Sequence, residues 1–261
     1  MHTQGARQQA HHQPSRKPEL TLLILLVCAD VAFILLHLLY VETPWLRGIR
    51  LSLEAERGMP ETYQYVKEFW IVACMGTAFW HTRRGLYASW AAVFAFVLID
   101  DAAQIHERMG TWIGHRYSLP VTFGLRPDDV GELLFAGIVG TTMLTMILLT
   151  SWRGGEQLWR VSRDMLCLFL VFAFLGVLVD TLHAIAYLQR SAFERSLLIL
   201  EDGGEMIIMS GITVYAFHVA SHFGQTRVDL WASLKTRLDR TGRSRALLDS
   251  RRRFAPGRLG F

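Results

Sequence analysis

Three short stretches hold most of the residues in this sequence that could do chemistry. They are Asp100-Asp101-Ala102-Ala103-Gln104-Ile105-His106-Glu107, Asp180-Thr181-Leu182-His183 and Glu201-Asp202-Gly203-Gly204-Glu205. Each interrupts or borders a long apolar run, where a charge is expensive and is kept chiefly for an interior partner or a pathway. So many carboxylates cannot stay ionised together in a dry site without cations. Mixed Asp, Glu and His donors suit zinc, iron or manganese, whereas an all-oxygen set favours magnesium or calcium. The chemistry to expect is that of a bound divalent metal, zinc or iron, as one ion or a pair.

Spacing sharpens the list. Glu201 and Glu205 are four apart and Asp180 and His183 three apart, so each pair shares a helix face. On a continuous helix Asp100, Gln104 and Glu107 line one stripe. Asp101 and His106 then fall on opposite flanks, which leaves one or the other behind the ligands. Glu132, next to Gly131, opens a further apolar run. The metal-ligand candidates are therefore Asp100, His106, Glu107, Asp180, His183, Glu201 and Glu205. Glu107, Asp101 and Glu132 are the candidates for acid–base work. Two-metal bundles take Glu-x-x-His from two helices; Asp180-x-x-His183 is an imperfect echo of that unit, and no second one occurs. The competing readings are structural: Asp100 and Glu107 paired with Arg108 or Arg116, Asp128 and Asp129 as a helix cap, and Glu132 as a rim residue. There is no HExxH, nucleophile elbow, P-loop or GxGxxG.

The elements that must position these residues are apolar helices. The 261 residues are 51% hydrophobic and 19% charged, with mean hydropathy +0.25, which places the chain in the membrane class. The pattern predicts an all-α polytopic membrane helical bundle of about six transmembrane helices. The spans are Leu20–Tyr40, Val66–His81, Leu86–Glu107, Val130–Trp152, Met165–Tyr187 and Leu197–Ser221. Asp30 and His37 lie in the first, and Glu68 is expected at the rim of the second, the shortest. A short surface helix is expected at Leu46–Arg57, and Arg153–Arg163 reads as a basic loop. Cys28, Cys74 and Cys167 lie in apolar runs without a CxxC and read as small buried hydrophobes.

Residues 1–19 read as a disordered tail, 20–221 as the transmembrane domain, and 222–261 as a basic tail. In that last tail Trp231, Leu234 and Leu238 recur at helical spacing against Lys235, Arg237 and Arg240, as in an interfacial helix. Arg251-Arg252-Arg253 suits anionic lipid head groups. Lipids, and a second copy in a homo-oligomer, are the partners expected; no recognition module accompanies the charge, so nucleic acid is not. Ten Lys and Arg follow Gln225, and the short turns after spans two and four are basic. The positive-inside rule then puts both termini in the cytoplasm. Alternation brings Asp100 to Glu107, Glu132, Asp180 to His183 and Glu201 to Glu205 to one outer layer. His218 and His222 share a face at the other end of span six and stand apart from it.

The pairing of Asp-Asp-x-x-x-x-His-Glu (Asp100–Glu107) with Glu-Asp-Gly-Gly-Glu-Met (Glu201–Met206) resembles a group of uncharacterised bacterial multi-pass membrane proteins. The resemblance implies a bacterial inner membrane and no particular activity. From the residues, the function expected is a membrane metalloprotein, either a hydrolase with a metal-activated water or a di-iron oxidoreductase, acting on a lipophilic substrate. A cation or proton transporter and a non-catalytic subunit of a membrane complex are the alternatives.

Overall fold

The computed structural model describes residues 17–43, 50–53, 55, 57–122, 124–188 and 193–222. They form helices α1 (Lys17–Glu42), α2 (Met59–Thr82), α3 (Gly85–Ala103), α4 (Ile105–Arg116), α5 (Pro127–Trp152), α6 (Glu156–Ala173), α7 (Asp180–Leu188), α8 (Glu194–Leu198) and α9 (Gly204–Ser221). A π-helical segment, Phe174–Val179, joins α6 to α7, and another, Ile199–Gly203, joins α8 to α9. The fold is an all-α bundle. Pro18–Glu42, Gly85–Ala103, Pro127–Trp152 and Glu156–Tyr187 are long and apolar enough to cross a membrane. α2 and α9 pack at the centre against these helices. The charges of α2 turn inward: Lys67 and Glu68 are fully buried.

Tyr87, Trp90 and Phe94 of α3 form the middle of the core, with Ile71 and Met75 of α2, Met165 of α6, and Met209 and Ile212 of α9. Trp90 and Phe94 both meet Phe169 edge-on. Leu25, Leu35, Ile138, Leu149 and Leu170 remain exposed, as expected where the solvent is lipid. Cys28 and Cys167 are exposed too, which corrects their reading as buried residues: in lipid an apolar thiol need not be covered.

Hydrocarbon gives little drive for one apolar helix to pack on another, so polar contacts and close packing decide position. α1 shows this at three depths. Glu19 in its first turn meets His218 in the last turn of α9. In the middle Asp30 accepts from Lys67 Nζ at 2.9 Å and from Ser210 Oγ at 2.5 Å. Further along, His37 Nδ1 accepts from Leu53 N–H at 3.2 Å and also lies 3.2 Å from Ser52 Oγ.

Several boundaries differ from the sequence reading. α1 begins at Lys17, so Glu19 belongs to a helix and not to a disordered tail. α2 begins at Met59, seven residues before the predicted span, with Pro60 in its first turn, where a missing N–H costs nothing. Glu68 is therefore interior and not at a rim. Glu156–Arg163 forms the first turns of α6, not a loop. The described residues of Leu46–Arg57 make turns rather than a helix. The amphipathic helix expected in 222–261 lies outside the described residues.

Candidate metal centre

The largest departure from the sequence reading is at Gln104. It adopts the left-handed conformation, φ 52° and ψ 48°, ending α3 and starting α4. The expected stripe Asp100–Gln104–Glu107 is broken there, because the chain changes direction between its members. Asp100 instead bridges the break. Its Oδ1 accepts from the His106 backbone N–H at 2.9 Å, and its Oδ2 lies 3.2 Å from His106 Nδ1. His106 is thus the direct partner of Asp100 and not a residue on an opposite flank. The carboxylate beside it pushes the His106 imidazole up to about 9. Asp100, Asp101 and His106 each place a donor atom within 4.8 Å of the others. Glu107 is half-exposed, 4.0 Å from His106 Nε2, at the edge of this group.

Asp101 turns inward, toward Glu68 on α2. Glu68 has no exposed surface, and no donor satisfies either carboxylate oxygen; its carboxyl is set against that of Asp101. A buried carboxyl without a donor is costly, and this one lies within electrostatic reach of Glu205 as well.

α4 and α5 carry Glu132 into the same region by close approach of their backbones. A Cβ on Gly131 would sit 3.0 Å from Gly110 Cα, and one on Gly110 would sit 2.9 Å from the Glu132 nitrogen. Only glycine permits that crossing. Asp129 closes the α5 N-terminus, accepting from the Arg126 backbone N–H at 2.8 Å and pairing with its guanidinium. It is a cap, and Glu132 one turn later faces His106 and Asp180 electrostatically.

Two π segments, packed against each other, supply the far side. π turns within α-helices are frequently found at functional sites. The first delivers Asp180 and the second carries Glu201 and Asp202. Asp180 and Glu201 interact directly, and carboxyls in contact need a proton or a cation between them. His183 Nδ1 lies 2.7 Å from Glu201 Oε2. Glu205 is within reach of Asp101, Glu201, Asp202 and Asp180. A Cβ at Gly176, inside the first π segment, would collide with the Glu205 carboxylate.

All the sequence-predicted site residues thus meet at one end of the bundle, in two foci. The first is Asp100, Asp101 and His106, with Glu107 at the rim. The second is Asp180, His183 and Glu201, with Glu132 and Glu205 between the two. The sequence reading missed Glu68 as a member and Lys67 as its neighbour. A lysine and a glutamate in succession within an otherwise apolar helix were the available signal.

Among the described residues a second group with donor atoms within 4.8 Å of one another is Glu19, His218 and His222, at the opposite end of α9. The protein is therefore an apolar helical bundle of membrane type with two clusters able to hold a divalent metal. It belongs to the family described as a domain of unknown function, DUF8692, whose model matches residues 63–219. Among curated proteins and among solved structures, nothing matches the chain.

Proposed function

We propose that the protein is a metal-dependent membrane enzyme acting on a lipophilic substrate at the acidic end of the bundle. Asp100, Asp101 and His106 would hold the ion, with Glu68 supplying charge from below. The observation that carries this reading is Glu68, fully buried without a donor to satisfy it and set against the Asp101 carboxyl. A bound divalent ion supplies Lewis acidity and can lower the pKa of a water.

The chain's own residues supply the proton handling. His183 Nδ1 and Glu201 Oε2 share a proton across 2.7 Å; when a bound cation ionises Glu201, Nδ1 would carry that proton and Nε2 would keep its lone pair. An imidazole held in that tautomer by a carboxylate is a competent general base. Next to this pair is an apolar groove of 410 Å³, lined by Leu182, Ile185, Ala186, Phe193, Leu197 and Leu200. Leu182 and Leu200 directly precede His183 and Glu201, so an acyl chain in the groove would present its polar end to them. A larger groove of 720 Å³ lies at the other end of α5 and α6, lined by Leu148, Trp152 and Trp159. It contains none of the metal-ligand candidates and has the aromatic character of a membrane interface.

In this reading the chain crosses a bacterial inner membrane six times with both termini cytoplasmic, and the acidic end faces outward. Cation transport is the weaker reading. Asp30, Lys67 and Ser210 form a polar group at mid-depth. Lys67 is a tethered positive charge there, which disfavours a second cation. From Ser210 to His218 α9 then runs about 12 Å, past buried Ile212, Ala216 and Thr213, whose hydroxyl is turned onto Met209 O.

Metal analysis of protein purified without chelator or polyhistidine tag tests the proposal. Bound zinc, iron or manganese that falls in Asp101→Ala and Glu68→Gln supports it. A metal content near zero that zinc, iron and manganese all fail to restore removes the enzyme reading.

A further inference from the structure

The tail end of α1 and α9 carries a cluster that the acidic end does not use. Glu19 comes from the first turn of α1, and His218 and His222 from the last turn of α9 and its cap, with donor atoms within 4.8 Å of one another. His218 Nδ1 is 3.2 Å from Glu19 Oε1. The two imidazoles, one helical turn apart, have ring centroids separated by 4.3 Å. Both protonated at that distance, they would repel.

The hydrogen bonds select a metal-ready form. His222 Nδ1 lies 2.9 Å from the His218 carbonyl oxygen. A carbonyl only accepts, so Nδ1 carries the proton and Nε2 keeps its lone pair. Metal-bound imidazoles are held in this manner, with the other ring N–H donated to a carbonyl or carboxylate. Glu19 Oε2 and His218 Nε2 are buried and have no hydrogen-bond partner. Two unsatisfied polar atoms in one cluster are what a bound cation would satisfy.

We propose that Glu19, His218 and His222 form a second metal site, for a divalent first-row transition ion of the zinc type, clamping α1 to α9. Two imidazoles and one carboxylate are a donor set zinc takes with a position left open. The oxygen-rich acidic end lies at the opposite end of α9, beyond the Asp30–Lys67–Ser210 tie, so the two sites are separate. This site stands whether or not the acidic end is catalytic.

The test uses the full-length protein in detergent, stripped with chelator and dialysed against zinc, with bound zinc counted by elemental analysis. Compared are wild type, the double variant His218→Ala with His222→Ala, Glu19→Gln, and the acidic-end pair Asp101→Ala with His106→Ala. The double histidine variant should hold one zinc fewer per chain than wild type. Glu19→Gln keeps the size of the side chain and should weaken that zinc by about tenfold or more. Zinc should raise the melting temperature of wild type more than that of Glu19→Gln. An unchanged zinc count and affinity in Glu19→Gln overturns the proposal, and this variant decides if the double histidine variant does not fold. Zinc lost only in the Asp101 and His106 variant would overturn this site and uphold the acidic one. Zinc lost only in the tail-end variants would do the reverse.

Discussion

The two ends of α9 present metal-ligand residues in different ways. At the acidic end they come from α2, α3, α4, α5, α7, the second π segment and the first turn of α9, and the backbone around them is irregular. Gln104 sits in the left-handed region, and two π segments face each other. At the tail end two regular helices suffice, with His218 and His222 at ordinary i,i+4 spacing. Irregular backbone at membrane depth is tolerated where it is enclosed by protein or lines a cavity. The difference is one of construction. The acidic end re-aims side chains, holds excess carboxyls and borders a groove. The tail end joins one helix to another.

The largest effect is expected between the ends, at the tie that keeps them apart. Lys67→Met leaves Asp30 charged and buried without its ammonium partner and should cost about 3–5 kcal/mol, read by denaturant unfolding in detergent. Adding Asp30→Leu should restore most of it. A small loss in the single variant would mean that α1 is not held by this pair.

Next in size is Glu68→Gln. It should weaken metal at the acidic end by about tenfold or more and leave tail-end zinc unchanged, with unfolding stability kept or improved. If stability fell and metal binding did not, Glu68 would be a structural residue.

Gly131→Val should cost about 1–3 kcal/mol by overpacking, because its side chain meets the Gly110 backbone. The shift should appear in the spectra of His106 and not in those of His222. An equal shift at both ends would break the comparison.

The smallest effect is electrostatic. In metal-free protein the His106 imidazole should titrate at about 9, above its ordinary 6.5, because of the Asp100 carboxylate. The folded value is raised, so the stabilisation is complete below about 6.5 and fades as pH rises through about 9. Asp100→Asn should bring the midpoint down, measured by NMR of the imidazole. Metal at this group should remove the titration, since the ion replaces the proton.

The long apolar helices and the sorting of acids to one end were legible, because hydropathy and alternation need no tertiary contact. Span Leu86–Glu107 was not, because the break at Gln104 carries neither glycine nor proline. It is maintained by Asp100 accepting the His106 N–H, which a helical-stripe argument cannot see. Glu68 looked like a rim residue and Lys67 gave no reading at all, because their partners, Asp101 for one and Asp30 and Met206 for the other, are distant in sequence. Glu19 was hidden for the same reason: its partner His218 lies 199 residues away. The π segments leave no periodic signature in five or six residues.

A metal ion at the acidic end is what every reading of its carboxyls turns on. Anomalous scattering from crystals of the full-length protein soaked in zinc, recorded on both sides of the zinc edge, tests it most directly. A peak is expected among Asp100, Asp101 and His106, with or without a second among Glu19, His218 and His222. Zinc located only elsewhere, with the carboxyls of Asp101 and Glu68 in contact through a shared proton, would contradict it.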